Sequence, residues 1–202
     1  EIEGILWFIK YKIYGDDEFI TVATTRPETM FGDAAIAVHP QNEKLNKYIG
    51  KKANIPFSKK LIPIIADKYA DPEQGSGAVK ITPAHDFNDF LIGKKHNLDF
   101  INIFNKNAKL NENVPKQFFG MDRYKARDLI LKNLKKLGLL EKQTKNKMVL
   151  PIGERSGSVI EPFMTKQWFV DSKKLCDDVK KIIKKDELKF FPSSWMNTFK
   201  YW

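Results

Sequence analysis

Apolar runs with strand character dominate the first half of the chain. Residues 2–14, IEGILWFIKYKIY, are rich in Ile, Phe, Trp and Tyr and predict a first β-strand, after which Gly15 begins a hairpin turn. Residues 18–25 predict a second strand, which Pro27 ends because proline fixes φ and lacks a backbone donor. The same criteria predict further strands at residues 34–38, 60–69, 78–83 and 99–104.

Helical spacing of apolar positions is confined to a few separate segments. Asp86 is placed to cap a helix that runs to about residue 96, and Asp122 to cap a second helix that stops before Gly138. Ser172 opens a third, amphipathic helix. The remaining predictions are a short helix at residues 41–49 and strand-like segments at residues 147–153 and 158–170.

Strands outnumber helices in this pattern, and that predicts the fold class. We expect a mostly β protein with a β-barrel-like core. Several peripheral helices would decorate the barrel in an α+β arrangement. The regular alternation of strands and helices that a Rossmann fold requires is not present in the pattern.

Composition narrows the class of protein. The chain has 202 residues, of which 42% are hydrophobic and 30% charged, and this balance predicts a packed core. No apolar run approaches the ~20 residues of a membrane span and no signal peptide is visible, so we expect a cytoplasmic protein without a membrane partner.

Cys176 is the single cysteine and the three histidines are scattered, which predicts no disulfide and no metal site. Because the chain starts at Glu1 without Met and stops at Trp202, we expect a piece of a larger protein.

The net charge of +10 is unevenly distributed. Residues 1–100 carry 13 Lys and Arg against 14 Asp and Glu, a net of −1, whereas residues 101–202 carry 22 against 11, a net of +11. A basic half favours a polyanionic partner such as nucleic acid. Since 31 of the 35 cations are Lys, a solvated surface and a lysine-rich genome remain an alternative explanation.

The segment VKITPAHDFNDF, residues 79–90, concentrates polar chemistry. Asp86 and Asp89 are three residues apart, so both carboxylates lie on the first turn of the predicted helix. A capping box alone would explain this spacing. However, Lys80 and Thr82 share one face of the preceding strand, and the four side chains together would form a pocket for a small zwitterion that carries a hydroxyl.

His85 lies between these groups and raises a separate question. A catalytic His–Asp pair is one interpretation, but neighbours in sequence usually point apart, and no Ser or Cys has the setting of a nucleophile. We therefore predict a hydrogen-bonded structural histidine.

A second polar cluster surrounds the end of the second predicted strand. Pro27 breaks the strand there, and loops that follow strands are where sites gather. A polar β-turn explains the same residues equally well. The candidates are Thr24, Thr25, Arg26, Glu28 and Thr29.

Together the two clusters resemble a known family. TTRPETMFGDAAIAVHP at residues 24–40, followed by GSGAVKITPAHDFNDF at residues 75–90, is similar to the editing domain, or connective peptide 1, inserted into class I aminoacyl-tRNA synthetases for branched aliphatic amino acids. The similarity is closest to valyl-tRNA synthetases, because the leucyl pattern has Asp at the position of Glu28 and the isoleucyl pattern lacks Arg26. Residues 120–140 and 154–170 also look like the valyl enzymes.

Two departures from the synthetase pattern qualify the resemblance. Ser76 stands where many relatives have Thr, which is a mild change. The His-Ile-Gly-His and Lys-Met-Ser-Lys-Ser signatures of ATP-dependent activation are absent from the chain, so we do not expect it to activate valine by itself.

The resemblance implies a role for each candidate residue. Asp89 would hold the α-ammonium of the misattached amino acid, and Asp86, Lys80 and Thr82 would recognise the threonine hydroxyl. The loop at residues 75–77 would let backbone amides approach the nucleotide or the oxyanion. The residues that would hold the terminal adenosine, its phosphate or the ester are Arg26 and Thr29, with Thr24 and Thr25 as weaker candidates.

The resemblance also implies an activity and an organisation. Residues 1–150 would form the editing domain and residues 151–202 a return segment towards the catalytic core. The expected reaction is deacylation of threonyl-tRNA(Val), with the tRNA 3′ end and the rest of the synthetase as partners and no obligate oligomer. Editing would need no cofactor, whereas the full-length enzyme would use ATP and Mg. The alternatives are a leucyl or isoleucyl editing domain and a non-catalytic tRNA-binding module.

Overall fold

The structure is a computed structural model that describes residues 2–201. It contains strands β1 (Ile2–Ile13), β2 (Phe19–Thr24), β3 (Ala35–Val38), β4 (Lys52–Asn54), β5 (Leu61–Ala66), β6 (Ala78–Ile81) and β7 (Leu140–Met148). The α-helices are α1 (Phe87–Lys95), α2 (Arg123–Lys136), α3 (Lys173–Lys184) and α4 (Trp195–Tyr201). Short 3₁₀ helices span Pro27–Gly32, Asn46–Tyr48 and Lys116–Phe118.

The long strand β1 organises the sheet. Its alternate residues Ile9, Tyr11 and Ile13 are fully buried, which is the period of two expected for a strand with one face on the core. One edge of β1 pairs antiparallel with β2, from Trp7 opposite Thr24 onwards, and the other edge pairs antiparallel with β7 and β4.

The sheet curls into a nearly closed barrel. The strand order is β2-β1-β4-β5-β3-β6, with β7 added alongside β1, and the pair β3–β5 is parallel while the other pairs are antiparallel. The two end strands, β6 and β2, lie next to each other, so the sheet almost meets itself. The prediction of a mostly β, barrel-like core with peripheral helices is therefore confirmed.

Several predicted elements differ from the structure. Residues 99–104 form no strand, only an isolated bridge between Phe104 and Leu110, and the buried Ile103 and Phe104 join the main core from a loop. Residues 158–170 are also irregular. The predicted helix at 41–49 is only the 3₁₀ helix Asn46–Tyr48 and its flanking turns. The strands β4 and β7 were not predicted, and neither was α4.

The helices α1 and α2 begin and end where the sequence indicated. Asp86 and Asp122 each accept two backbone N–H groups in the first turn of their helix. Gly138 follows α2 with φ of 67°, a conformation that favours glycine. The α2 face formed by Ala126, Ile130 and Leu134 is fully buried in the main core.

The chain divides into two compact units, Glu1–Met164 and Thr165–Trp202. The first contains the barrel, α1 and α2, and the second contains α3 and α4. Within residues 2–201, no helix combines the length and the apolar character that crossing a bilayer requires. The assignment of residues 151–202 to a synthetase junction stays a prediction.

Candidate functional site

A cleft of about 480 Å³ opens where β2 and β6 end. The first residues of α1 line one side, and the 3₁₀ helix Pro27–Gly32 lines another. Eight candidate site residues from the sequence line it: Thr24, Thr25, Arg26, Thr29, Lys80, Thr82, Asp86 and Asp89. Glu28 and the loop at residues 75–77, which the sequence also indicated, are not part of this lining. The structure thus brings the two polar clusters together, although they are separated by about 50 residues of chain.

Behind the cleft lies a buried ionic network centred on Asp33. The Lys80 ammonium lies 3.1 Å from Asp33 Oδ1 and 3.0 Å from Thr29 Oγ1, and it also donates to Thr82 Oγ1. Thr82 Oγ1 donates to Asp33 Oδ1 at 2.8 Å, and the Tyr11 hydroxyl donates to Asp33 Oδ2 at 2.8 Å. The three N–H donors of Lys80 are therefore all used within the protein.

Asp33 was not predicted from the sequence. It directly precedes the fully apolar segment that forms β3, and a carboxylate at the edge of such a strand is a signal that could have indicated a buried partner. Burial raises the pKa of Asp33, and the Lys80 ammonium and the Thr82 hydroxyl offset part of that rise. Burial and the neighbouring Asp33 also raise the pKa of Tyr11, which keeps its phenol protonated as a donor.

The two aspartates of α1 have different environments. Asp86 is exposed, and its Oδ1 accepts the N–H groups of Asn88 and Asp89 at 2.8 and 3.1 Å. Asp89 is buried, and its Oδ2 accepts the Thr82 N–H at 2.8 Å instead of returning to Asp86. The capping interpretation is therefore right for Asp86, but the reciprocal capping box does not form.

The pKa of the Asp89 carboxyl group is strongly raised. Desolvation raises its pKa to about 7, although Lys80 and the Thr82 N–H both favour the ionised form. Tyr69, another lining residue that the sequence did not indicate, has its pKa raised to about 12 by partial burial and by the charges of Asp89 and Asp86. The cleft thus holds a carboxyl group that titrates near neutrality beside a protonated phenol.

His85 is buried behind the rim of the cleft. Its Nε2 accepts the Ile103 N–H at 3.0 Å, which agrees with the structural interpretation. Burial, then the charges of Arg26 and Lys80, lower the pKa of His85 to about 3, so the ring is neutral and its Nδ1 carries the proton. Nδ1 has no hydrogen-bond partner among the described residues.

Arg26 is held at the mouth of the cleft by several acceptors. Its Nη1 donates to the His85 carbonyl at 3.2 Å, its Nε to Glu28 at 3.3 Å, and its Nη2 to Glu161. Glu28 is fully buried and also binds the Arg127 guanidinium through two bonds of 2.7 and 2.8 Å. This bidentate pair connects α2 to the turn that carries Arg26.

The family of the chain follows from a comparison with known sequences. The family model described as leucyl-tRNA synthetase, editing domain, matches residues 40–149, which is more than half of the chain. The chain belongs to this editing-domain family.

Similar proteins extend this family assignment over the whole chain. The valine–tRNA ligase of Pelagibacter ubique is 48% identical over 202 residues, and that of Legionella pneumophila strain Paris is 46% identical over 202 residues. These matches cover 100% of this chain but only 23% and 22% of the two ligases, so the chain spans about a quarter of their length. The valyl resemblance inferred from the sequence motifs is confirmed.

A solved structure with the same fold supports the architecture. The agnB2 LeuRS of Agrobacterium radiobacter K84, in a ternary complex with tRNA and LeuAMS, superposes with a TM-score of 0.54 over 72% of this chain and 20% of that chain. The sequences are 19% identical in this comparison, which supports the fold of the editing-domain family.

The side chains of the cleft determine which chemistry it can support. In the part of the chain that the structure describes, no three His, Cys, Asp or Glu side chains converge to hold a metal ion. The cleft offers carboxylates, hydroxyls and an arginine at its mouth, which suit an ammonium, an alcohol and a phosphate respectively. It presents no Ser–His or Cys–His pair for covalent catalysis among the described residues.

Proposed function

We propose that the cleft hydrolyses the ester bond between a mismatched amino acid and the 3′ end of a tRNA, and that its substrate is threonyl-tRNA(Val). The observation that carries this proposal is the convergence of Asp89, Thr82 and Arg26 on one polar cleft of a chain in the editing-domain family. The valine–tRNA ligase relatives support valine as the cognate amino acid of the larger enzyme.

A need for editing follows from the similar shapes of threonine and valine. A hydrophobic pocket rejects the extra hydroxyl of threonine by only about 10²-fold, a figure that comes from the valyl enzymes themselves. A second site with the opposite preference corrects the error. Valine in a polar cleft would leave buried groups without partners, at about 1–3 kcal/mol each.

The hydrogen bonds of the cleft refine the role of each residue. Because Lys80 has no free donor, we infer that it positions the hydroxyls of Thr82 and Thr29 rather than binding substrate. Thr82 Oγ1 and Thr29 Oγ1 each donate one bond and accept one from Lys80, so each retains a lone pair for a substrate O–H. This arrangement favours a guest with a hydroxyl over an isosteric methyl group.

The proposed reaction needs positioning and charge more than a protein nucleophile. The Asp89 carboxylate binds the α-ammonium, Arg26 binds the phosphate of the terminal nucleotide, and water attacks the ester carbonyl. Collapse of the tetrahedral intermediate expels the ribose oxygen, which takes up a proton, and yields free threonine and deacylated tRNA.

Measurement of deacylation by the purified chain tests the proposed function. We expect threonyl-tRNA(Val) to be hydrolysed and valyl-tRNA(Val) to be spared. Faster hydrolysis of a mischarged tRNA(Leu) or tRNA(Ile) would instead assign the domain to another synthetase. Binding of tRNA without turnover would contradict the proposed hydrolysis and support a non-catalytic module.

Replacing Asp86 with asparagine tests recognition of the threonine hydroxyl. Asparagine is as good an N-cap as aspartate, so α1 should remain intact, while the second carboxylate oxygen becomes an amide donor. We expect the preference for threonyl over valyl esters to fall about tenfold, as one charge-assisted hydrogen bond is lost. An unchanged ratio of the two kcat/KM values would show that Asp86 serves only as a cap.

Replacing Arg26 with alanine tests the proposed phosphate contact. We expect KM for threonyl-tRNA(Val) to rise about tenfold or more, because a hydrogen bond to a charged group contributes about 1.5–3 kcal/mol. The fold should persist, since Arg127 still neutralises the buried Glu28. Arg155→Ala is a matched control, because Arg155 is exposed and lies outside the cleft. An equal effect of the two substitutions, with unchanged circular dichroism, would contradict the specific contact.

A further inference from the structure

A second groove, of about 510 Å³, adjoins the cleft. The two share Thr25, Arg26, His85 and Asp86, so they are continuous at the mouth where Arg26 lies. Unlike the polar cleft, this groove is largely apolar and is lined by the start of β1, the residues that follow β7 and the first residues of α1 and α2. Its volume lies within the range of about 300–1,000 Å³ that is typical of small-molecule sites.

Two exposed aromatic rings face this groove. Phe87, the first residue of α1, is 76% exposed, and Tyr124 on α2 is 44% exposed. A large aromatic ring with three quarters of its surface in water, directly beside Asp86, has no role in the core. Such rings are platforms on which single-stranded bases stack.

The groove also presents a planar cation that is fixed in position. The Arg127 guanidinium lines the groove and lies 5.3 Å from the centre of the Tyr124 ring, while Arg123, which is not part of the lining, lies 4.8 Å from the same ring. Arg127 also lies 5.7 Å from the centre of the Trp7 ring, while Glu28 holds its other edge. Stacked arginine planes and aromatic rings are the surfaces that bind unstacked RNA bases, and their fixed orientation lowers the entropy lost on binding.

We propose that this groove binds the unpaired nucleotide that immediately precedes the terminal adenosine of the tRNA, with its base stacked on the exposed ring of Phe87, beside Tyr124 and Arg127. The inference rests on the proposed function, because an ester bound beside Asp89 with its phosphate at Arg26 requires the RNA strand to leave past Arg26. The groove begins at that residue. Its apolar and aromatic lining suits a base, while Arg26 suits the phosphate that joins the two nucleotides.

Substrates of two lengths separate this proposal from the hydrolytic activity itself. Threonyl-tRNA(Val) reaches both the cleft and the groove, whereas the threonyl ester of adenosine reaches only the cleft. We expect Phe87→Ala to raise KM for the tRNA about tenfold without changing kcat, which corresponds to one lost stacking contact. Hydrolysis of the adenosine ester should stay at the parent rate.

Further variants control for structural effects. Phe87→Trp should restore the parent KM, because an indole ring also stacks. Phe119→Ala removes a ring that is 60% exposed outside the groove and should leave both substrates unaffected. Equal losses on the tRNA and the adenosine ester, or no loss on either, would overturn the groove assignment.

A binding measurement keeps the groove testable if the chain hydrolyses nothing. Uncharged tRNA(Val) with 2-aminopurine at the penultimate position should lose fluorescence when it binds the parent chain, and this quenching should disappear with Phe87→Ala. Quenching without hydrolysis would support the groove while contradicting the proposed function. Identical quenching in the parent and the variant would overturn the proposal. A change in the sedimentation coefficient on Phe87→Ala would also overturn it, because it would show that a second copy of the chain occupies the groove.

Discussion

Asp89→Asn is expected to lower kcat/KM for threonyl-tRNA(Val) by about 10²-fold or more. The substitution is nearly isosteric and keeps an oxygen that can accept the Thr82 N–H, so the effect isolates the negative charge. Loss of one member of a desolvated charge pair with a bound ammonium weakens the interaction by about 2–5 kcal/mol. Single-turnover hydrolysis measures the loss, and a parent-like rate would contradict the assigned role of Asp89.

The same substitution is expected to stabilise the fold at alkaline pH. Burial raises the pKa of Asp89 from 3.8 to about 7, and at 1.36 kcal/mol per unit the ionised carboxylate opposes folding by about 4 kcal/mol. Since the native state binds more protons than the unfolded chain between about pH 4 and pH 7, stability falls as pH rises through that window. Urea unfolding should therefore give Asp89→Asn a larger free energy of unfolding than the parent at pH 8. Below about pH 4 the free energies of unfolding of the two proteins should become equal.

The pH dependence of activity follows from the same group. Because the ionised carboxylate is proposed to bind the ammonium, kcat/KM of the parent is expected to fall about tenfold per unit as the pH drops below about 7. The residual kcat/KM of Asp89→Asn should not show this fall at low pH. Asp17→Asn, on the exposed β1–β2 turn, is the matched control and should match the parent in rate, stability and pH profile.

Asp33→Asn is expected to destabilise the barrel by about 3–5 kcal/mol, because it leaves the Lys80 charge buried without its partner. This is a large share of the roughly 5–15 kcal/mol that stabilises a domain. Lys80→Met should be similarly damaging, since it leaves Asp33 unpaired. The double variant should lose much less free energy of unfolding than the sum of the two single losses. Urea unfolding of the parent, the two single variants and the double variant measures the coupling energy.

A surface pair provides the control for this cycle. Lys47 and Glu18 also lie within hydrogen-bond distance, at 2.9 Å, but both side chains are about half exposed. Glu18→Gln should therefore change the free energy of unfolding by less than about 1 kcal/mol. Additive effects of Asp33→Asn and Lys80→Met would show that the two side chains are not energetically coupled.

The sequence predicted elements whose signals are local and missed those that depend on distant partners. The alternation in β1 and the capped starts of α1 and α2 are visible in short windows of sequence. β7 is the contrary case, because most of its side chains face solvent and the strand forms by backbone pairing with β1. The apolar segment at 99–104 was wrongly predicted as a strand, because its buried side chains belong to a loop.

The candidate site divides in the same way. Lys80, Thr82, Asp86 and Asp89 lie within ten residues, so a strand followed by a helix brings them together without knowledge of the fold. Asp33 acts on side chains that are 22, 47 and 49 positions away, and only closure of the barrel creates those contacts. Motif resemblance supplied the link between the two clusters that spacing alone left open.

The ammonium of Lys80 has all its protons committed to Asp33, Thr29 and Thr82, and this limits how the domain can change its guest. A lysine with no free N–H donor cannot form a new hydrogen bond to a differently shaped amino acid. Replacing it would also disturb the Thr29 and Thr82 hydroxyls that it positions. An engineered or evolved shift in preference is therefore expected among lining residues outside this buried network, such as Tyr69, which is 39% exposed.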